Sequence, residues 1–196
     1  MKNVKQAREI ANYAHALQTR KGSGEPYSNH CHAVADIVAD YTDNKNAIIA
    51  AELHDVLEDV PESRYSEYQM LQDFGKEATD LVKMVSEDKR ADDVTQKSWR
   101  ERKDLYINHL LKSSNRDALI IATADKINNL QSMLDDYQQI GEQLWTRFNA
   151  PKEKQLWYYE TILVILNDKN LPDGLVCCLS EQVNQLQKIV EKHNSK

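Results

Sequence analysis

The chain has 196 residues, 41% of them hydrophobic, with 31 acidic against 25 basic side chains and a net charge of −6. That balance argues against a general nucleic-acid binder, which needs a basic patch, but leaves room for a small anionic ligand held by a few local cations. Five Gly and four Pro supply too few turns for an all-β fold, and no apolar run approaches the ~18 residues of a membrane span.

The spacing of Val4, Ala7, Ile10, Ala11, Ala14 and Leu17 predicts an amphipathic helix over residues 3–20. It runs into Arg20-Lys21-Gly22-Ser23-Gly24-Glu25-Pro26, a loop with two cations beside two glycines. Those cations read either as a basic helix end facing the dipole or, with nearby backbone amides, as a cradle for phosphate. A second helix is expected to start at Asn29 or His30 and end at Tyr41, with Val34, Ile37 and Val38 inward. His30, four residues before Val34, shares their face. It is either a hydrogen-bonded core residue or a ligand.

Asp43 or Asn44 is expected to cap a third helix. That helix carries the apolar run Ala47-Ile48-Ile49-Ala50-Ala51, then His54-Asp55-Val56-Leu57-Glu58-Asp59, and ends at Pro61. Taking His54 as zero, Glu58 falls at roughly 40°, Asp55 at roughly 100° and Asp59 at roughly 140° around the axis. Three carboxylates and an imidazole thus share one face, where like charges repel unless a cation or a proton intervenes. The stretch is either a metal site or a solvated acidic helix end.

Residues 66–74 and 76–86 predict two short helices joined at Gly75. Residues 87–96 are charged and aperiodic and predict an exposed loop. A basic-aromatic helix with Trp99, Tyr106, Leu110 and Leu111 is expected over 98–112. Residues 117–135 are apolar on nearly every side, which marks a central helix. Asp125 lies in its middle, where a carboxylate must be paired or must coordinate a metal. Lys126 is expected to point elsewhere. Asn129 follows four residues on, with Asn128 alongside. Gly141 breaks the helix. Trp145, Phe148, Trp157, Tyr158 and Tyr159 form an aromatic region around a helix over 151–168, mostly core, with one or two rings able to stack on a base. Pro172-Asp173-Gly174 turns the chain into a last helix over 175–192.

The expectation is a single all-α domain over residues 1–196. Residues 1–5 lack the apolar core of a signal peptide. Cys31, Cys177 and Cys178 are an odd set without CxxC spacing, so the thiols are expected reduced and the chain cytoplasmic. His30, His54, Asp55 and Asp125 come from three different predicted helices and offer two imidazoles and two carboxylates. That mixed set suits manganese, iron or zinc.

At this point the sequence resembles the HD-domain phosphohydrolases, and within them the hydrolase domain of the RelA/SpoT homologues. Gly24-Glu25-Pro26-Tyr27 with His30, Val34 and Ala35 is similar to the family's G-E-P-Y-x-x-H-P-x-x-V-A segment. Leu53-His54-Asp55-Val56-Leu57-Glu58-Asp59 resembles L-H-D-x-x-E-D, and Val85-Ser86-Glu87-Asp88-Lys89 resembles V-T-x-D-K. Ala124-Asp125-Lys126-Ile127-Asn128-Asn129-Leu130 resembles A-D-K-L-x-N-L. Cys31 departs from the usual Pro after the first His. Because the chain stops where long RelA/SpoT proteins continue into a synthetase, it is expected to resemble the stand-alone small alarmone hydrolases.

The resemblance implies an HD-domain helical bundle of about eight to ten helices. It implies a manganese site from His30, His54, Asp55 and Asp125, with Glu58 and Asp59 as the catalytic carboxylates that position and activate water. It further implies Arg20, Lys21, Tyr27, Asn129 and Ser132 as substrate-binding residues. The expected reaction is hydrolysis of the 3′-pyrophosphate of (p)ppGpp to GDP or GTP and pyrophosphate. Two alternatives stand beside it: an HD phosphohydrolase for another nucleotide such as NADPH or a deoxynucleotide, and a nucleotide sensor that binds without turnover. A small-molecule nucleotide is the expected partner, neither nucleic acid nor membrane is, and oligomeric state is left open.

Overall fold

The computed structural model describes residues 1–86 and 97–192. The expected loop at 87–96 and the Glu87, Asp88 and Lys89 part of the V-S-E-D-K segment lie outside the described residues. Nine α-helices are found among the described residues: α1 (Val4–Ala14), α2 (Ser28–Ala39), α3 (Lys45–Leu53), α4 (Val56–Asp59), α5 (Glu67–Val85), α6 (Trp99–Lys112), α7 (Arg116–Ile140), α8 (Lys152–Asn167) and α9 (Asp173–Lys192). A 3-10 segment, Gly141–Arg147, follows α7. Among these residues the sole extended pairing is one antiparallel bridge between Thr19 and Pro26. No described helix is long and apolar enough to cross a membrane.

Side-chain caps start several helices where the sequence offers an oxygen. Asn44 accepts from the Asn46 amide at the head of α3, and Ser66 and Ser98 form capping boxes with Gln69 and Glu101. Gly75 stands at φ 81°, ψ 177°, outside helical geometry, and divides α5 into two helical halves, so the two short helices expected here meet at the glycine. Gly141 ends α7 with φ 57°. Both are backbone conformations that cost a side-chain-bearing residue dearly.

Helix α7 is the axis of the fold. Ile120, Ile121 and Leu130 on it are fully buried, and α2, α3, α5, α8 and α9 all pack against it. Helices α2 and α3 pack closely on each other, and α1 lies across α3. This arrangement sets the ends of α2 and α3 and the middle of α7 around one point.

Two expected helices end early. The first stops at Ala14, not at residue 20, because the backbone of 15–27 is taken up in a turn: Gln18 N–H donates to His15 O, and Tyr27 N–H donates to Gln18 O at 3.0 Å. Leu17, counted on the inward stripe, is 82% exposed as a result. The third helix stops at Leu53. The Ser86 hydroxyl caps the His54 carbonyl at 3.0 Å, Asp55 turns to φ −92°, ψ −6°, and α4 is a separate single turn. The continuous helical face expected from His54 to Asp59 is therefore split in two.

Candidate metal centre

The split has a chemical consequence. His54 and Asp55 stay at the end of α3, facing α2 and α7, while Glu58 and Asp59 move onto α4. His30 Nε2 lies 3.1 Å from Asp125 Oδ1 and 3.6 Å from Asp55 Oδ2. His54 Nε2 lies 3.1 Å from Asp55 Oδ2 and 3.8 Å from Asp125 Oδ1. The two imidazole rings stand edge-on, 5.1 Å apart. All four expected ligands therefore converge, from three helices.

Both imidazoles are oriented for a ligand role. His30 Nδ1 donates to Asn128 Oδ1 at 2.6 Å, and His54 Nδ1 donates to the Ala51 carbonyl at 2.8 Å. With the ring N–H fixed on Nδ1, each Nε2 presents its lone pair inward. His54 Nε2 is buried, with the Asp55 and Asp125 carboxylates within ion-pair distance but no contact of good hydrogen-bond geometry. A buried nitrogen left that way is costly unless something binds it. His30, His54 and Asp55 each offer an atom within 4.8 Å of the others, a spread that one cation can bridge. The donor set thus fits a divalent ion.

The electrostatics show the same strain from the other side. Burial pulls the His54 imidazole down, yet Asp55 and Asp125 outweigh it and hold its pKa above the ordinary value. Burial pushes the Asp55 carboxyl up, but His54 and then His30 hold it well below the usual carboxylate range. Asp125 is likewise held low, against its burial, chiefly by Lys126. Lys126 does not point elsewhere: its Nζ lies 2.6 Å from Asp125 Oδ2 and 4.4 Å from the Tyr106 ring centre. A lysine side chain is long enough to fold back to its helix neighbour, so angular separation on the helix did not part them. Asp125 is both paired and aimed at the histidines.

Beside the centre opens a cavity of about 530 Å³, lined by residues of the 18–27 turn, α6, α7, the 3-10 segment and α8. Arg20, Lys21, Tyr27, Asn129, Ser132 and Asp59 all line it, so the expected substrate residues share one surface. Glu58, half-buried on α4, is not among the described lining residues. The four candidate ligands lie behind the wall and connect to the cavity through hydrogen bonds. Tyr27 OH donates to Asp55 Oδ2 at 2.8 Å and lies 3.5 Å from Asp59 Oδ2. Asn129 Nδ2 donates to Asp125 Oδ1 at 2.6 Å, and Arg20 Nη2 donates to Asn129 Oδ1 at 3.0 Å and to Ser132 Oγ at 3.4 Å. Burial and then Asp55 raise the Tyr27 phenol, which keeps it a donor.

Arg20 and Lys21 follow a turn rather than a helix end, which removes the helix-dipole reading of this pair. Trp157 is covered by the Arg100 guanidinium at 3.6 Å; Trp99, Tyr158 and Tyr159 line the cavity instead. Lys103 and the Arg147–Asp136 pair also line it and were not singled out from sequence. Lys103 at least sits in the basic-aromatic stretch that was. Buried His15, which meets Tyr27 ring to ring at 5.0 Å, gave no signal, because its neighbours are assembled by the turn.

Known proteins resemble this chain in sequence and fold. The SpoT (p)ppGpp synthase/hydrolase of Escherichia coli K12 is 33% identical over 135 residues, 68% of this chain and 18% of that protein. A guanosine-3′,5′-bis(diphosphate) 3′-pyrophosphohydrolase of Haemophilus influenzae is 34% identical over 129 residues, again 18% of its length. The chain thus spans less than a fifth of these relatives. A solved structure described as a metazoan ortholog of SpoT that hydrolyses ppGpp superposes with a TM-score of 0.74 at 28% identity, covering 93% of this chain and 94% of that one. A Listeria monocytogenes structure, lmo0812, shares the fold with a TM-score of 0.67 at 24% identity, over 81% of this chain and 99% of its own. The HD-domain family matches residues 7–152, a span that takes in His30, His54, Asp55 and Asp125 together, and the chain belongs to that family.

Proposed function

We propose that this chain hydrolyses the 3′-pyrophosphate of guanosine tetra- and pentaphosphate, releasing pyrophosphate and GDP or GTP, with Mn²⁺ as its metal. The observation that carries this reading is the charge of the cavity beside the His–Asp centre. Five cations (Arg20, Lys21, Lys103, Lys126 and Arg147) line it against two carboxylates, Asp59 and Asp136, on a chain whose net charge is −6. A locally positive cleft on an acidic protein selects a small polyanion. The likeness to the metazoan ppGpp hydrolase over nearly its whole length supports the choice of polyanion.

His30, His54, Asp55 and Asp125 would hold the ion. When bound, a divalent cation lowers the pKa of water and polarises a phosphoryl oxygen. Asp59, on the cavity wall, and Glu58 beside it on α4 orient the attacking water and take its proton. An O–P bond forms at the phosphorus joined to the ribose, the P–O3′ bond breaks, and the 3′ oxygen leaves with a proton. Arg20 and Lys21 offset the charge that gathers on the phosphoryl oxygens, Arg through its planar fork and Lys as a point charge. Asn129 and Ser132 hold Arg20 in place, and Tyr27 steadies Asp55.

The test is a panel of ppGpp, pppGpp, NADPH and deoxynucleoside triphosphates with the Mn²⁺-loaded protein, scored for pyrophosphate against orthophosphate. Pyrophosphate from ppGpp, abolished by chelation, is expected. Orthophosphate from NADPH with no product from ppGpp would overturn the proposal.

A further inference from the structure

Glu52 has no part in the chemistry described above, yet it is a carboxylate with a fully buried side chain (0% exposed). Its two oxygens are divided between two other helices. Oε1 accepts from Arg8 Nε of α1 at 2.7 Å, and Oε2 accepts from His32 Nδ1 of α2 at 2.6 Å. Arg8 also donates through Nη2 to Asp36 Oδ1 at 2.6 Å, and His32 Nε2 meets the Asn12 side-chain amide at 3.0 Å. A buried carboxylate is tolerated when it is satisfied in this way, but it does not by itself stabilise a fold more than apolar packing would. Its place needs another reason.

The position of the network supplies one. Glu52 lies two residues before His54, and His32 two residues after His30. Two helical steps turn a side chain by roughly 200°, so each helix presents its metal-centre histidine on one side and a network member on the other. The Glu52–His32 contact therefore ties α2 to α3 directly behind His30 and His54. Metal sites need their ligand atoms placed to within about 0.2 Å. Apolar packing carries no direction, whereas the short Glu52–His32 hydrogen bond fixes how α2 sits on α3, and the Glu52–Arg8 bond fixes α3 on α1.

We propose that Glu52 is a positioning residue for the metal centre: through His32 and Arg8 it locks α1, α2 and α3 together and fixes the separation of His30 and His54. This rests on the metal reading above, but not on the identity of the nucleotide. The measurement is Mn²⁺ affinity of the purified full chain by calorimetric titration or by the spin-resonance signal of free Mn²⁺, alongside the thermal midpoint of the metal-free protein. The double variant His32→Leu/Glu52→Leu removes the tie and leaves Arg8 paired with Asp36, so no buried charge is stranded. It is expected to fold with little change in thermal midpoint and to bind Mn²⁺ about tenfold more weakly, the effect of losing outer support at a metal site. His32→Asn, whose amide N–H stands where Nδ1–H stood, is expected to keep affinity within about threefold of wild type, on the same support argument.

A folded double variant with wild-type affinity overturns the proposal, as does a His32→Asn variant that loses as much as the double. If the double variant fails to fold, His32→Leu alone reads the α2–α3 tie with Glu52 still on Arg8, and unchanged affinity there overturns it equally. Absence of Mn²⁺ binding by the wild-type chain overturns the metal reading and the brace together. Wild-type binding with unaltered variants overturns the brace alone.

Discussion

Asp125 presents two contacts that a single substitution would confound, and a pair of variants separates them. Its Oδ2 faces Lys126 Nζ at 2.6 Å, while its Oδ1 faces His30 Nε2 at 3.1 Å. Changing Asp125→Asn strands the lysine. Breaking a fully buried pair costs about 3–5 kcal/mol; side chains that are 12% and 15% exposed recover some hydration, so the lower end, about 3 kcal/mol, applies. For a chain of this length that is a fall in thermal midpoint of roughly 6–12 °C. Adding Lys126→Met removes the stranded charge and is expected to restore most of the stability. Were Asp125 only the counter-ion of Lys126, the double variant would be whole again in every respect. As a metal ligand, Asp125 is missed in both variants. The assay is a thermal melt of the metal-free protein paired with Mn²⁺ titration. The double variant is expected to melt near wild type while binding Mn²⁺ at least about tenfold more weakly. A double variant that regains both stability and Mn²⁺ affinity would refute Asp125 as a ligand.

Three further expectations bear on the same centre. Glu58→Gln should keep Mn²⁺ affinity but lower turnover by about two to four decades; wild-type hydrolysis of ppGpp by this variant would remove Glu58 from the mechanism. The raised His54 pKa makes stability and metal binding depend on pH with opposite signs. In the metal-free protein the His54 ion pairs are fully present below the unfolded imidazole value of ~6.5 and fade as pH rises through the higher folded value. Mn²⁺ must displace that proton, so its affinity climbs with pH. The gap in thermal midpoint between Mn²⁺-saturated and chelated protein should therefore widen from pH 6 to pH 9, and a narrowing gap would contradict the assignment. Gly22→Ala would drive a β-carbon into Arg147 Nη1 and set it 2.9 Å from Asp136 Oδ2 at a φ of +107°. A cost of about 1–3 kcal/mol from the backbone alone is expected, with a raised KM for ppGpp and unchanged Mn²⁺ affinity; an unchanged KM would show that the Arg147 side of the cavity does not meet substrate.

Much of this was legible in the sequence where the physics is local. Apolar spacing gave the helices of the core, and the oxygens of Asn44 and the glycines at 75 and 141 marked starts and breaks that the backbone adopts. Four ligand-type residues on separate inward faces were enough to expect convergence, because inward faces of a small bundle have few places to meet. The misreadings share a different origin. Leu17 kept helical spacing after the helix had ended, since the bonds that end it tie residues 15–18 to Tyr27. His54 and Asp55 contain no breaker, and α3 stops where the His54 carbonyl meets Ser86, far along the chain, whose hydroxyl it shares with Val82 O. Lys126, expected to point elsewhere, has the length to reach Asp125. Asn128, His15 and the Glu52 network answer to neighbours that periodicity does not name.

On the proposed reading the centre and the cavity make opposite electrostatic demands within a few ångströms, since one would draw a cation and the other an anion. Side by side, Arg20 and Asp125 would simply pair and cancel each other. The structure instead sets Asn129 between them, accepting from Arg20 on its oxygen and donating to Asp125 from its nitrogen. Tyr27 does the same on the other flank, its hydroxyl on Asp55 and its ring beneath the Arg20 guanidinium at 5.8 Å. Neutral groups that donate on one side and accept or stack on the other hold both charges in place without spending either. Lys126 is the exception, a cation in direct contact with the Asp125 carboxylate and also on the cavity wall. On the proposed reading, Lys126 is the cation that a polyanion in the cavity and the Asp125 carboxylate would share.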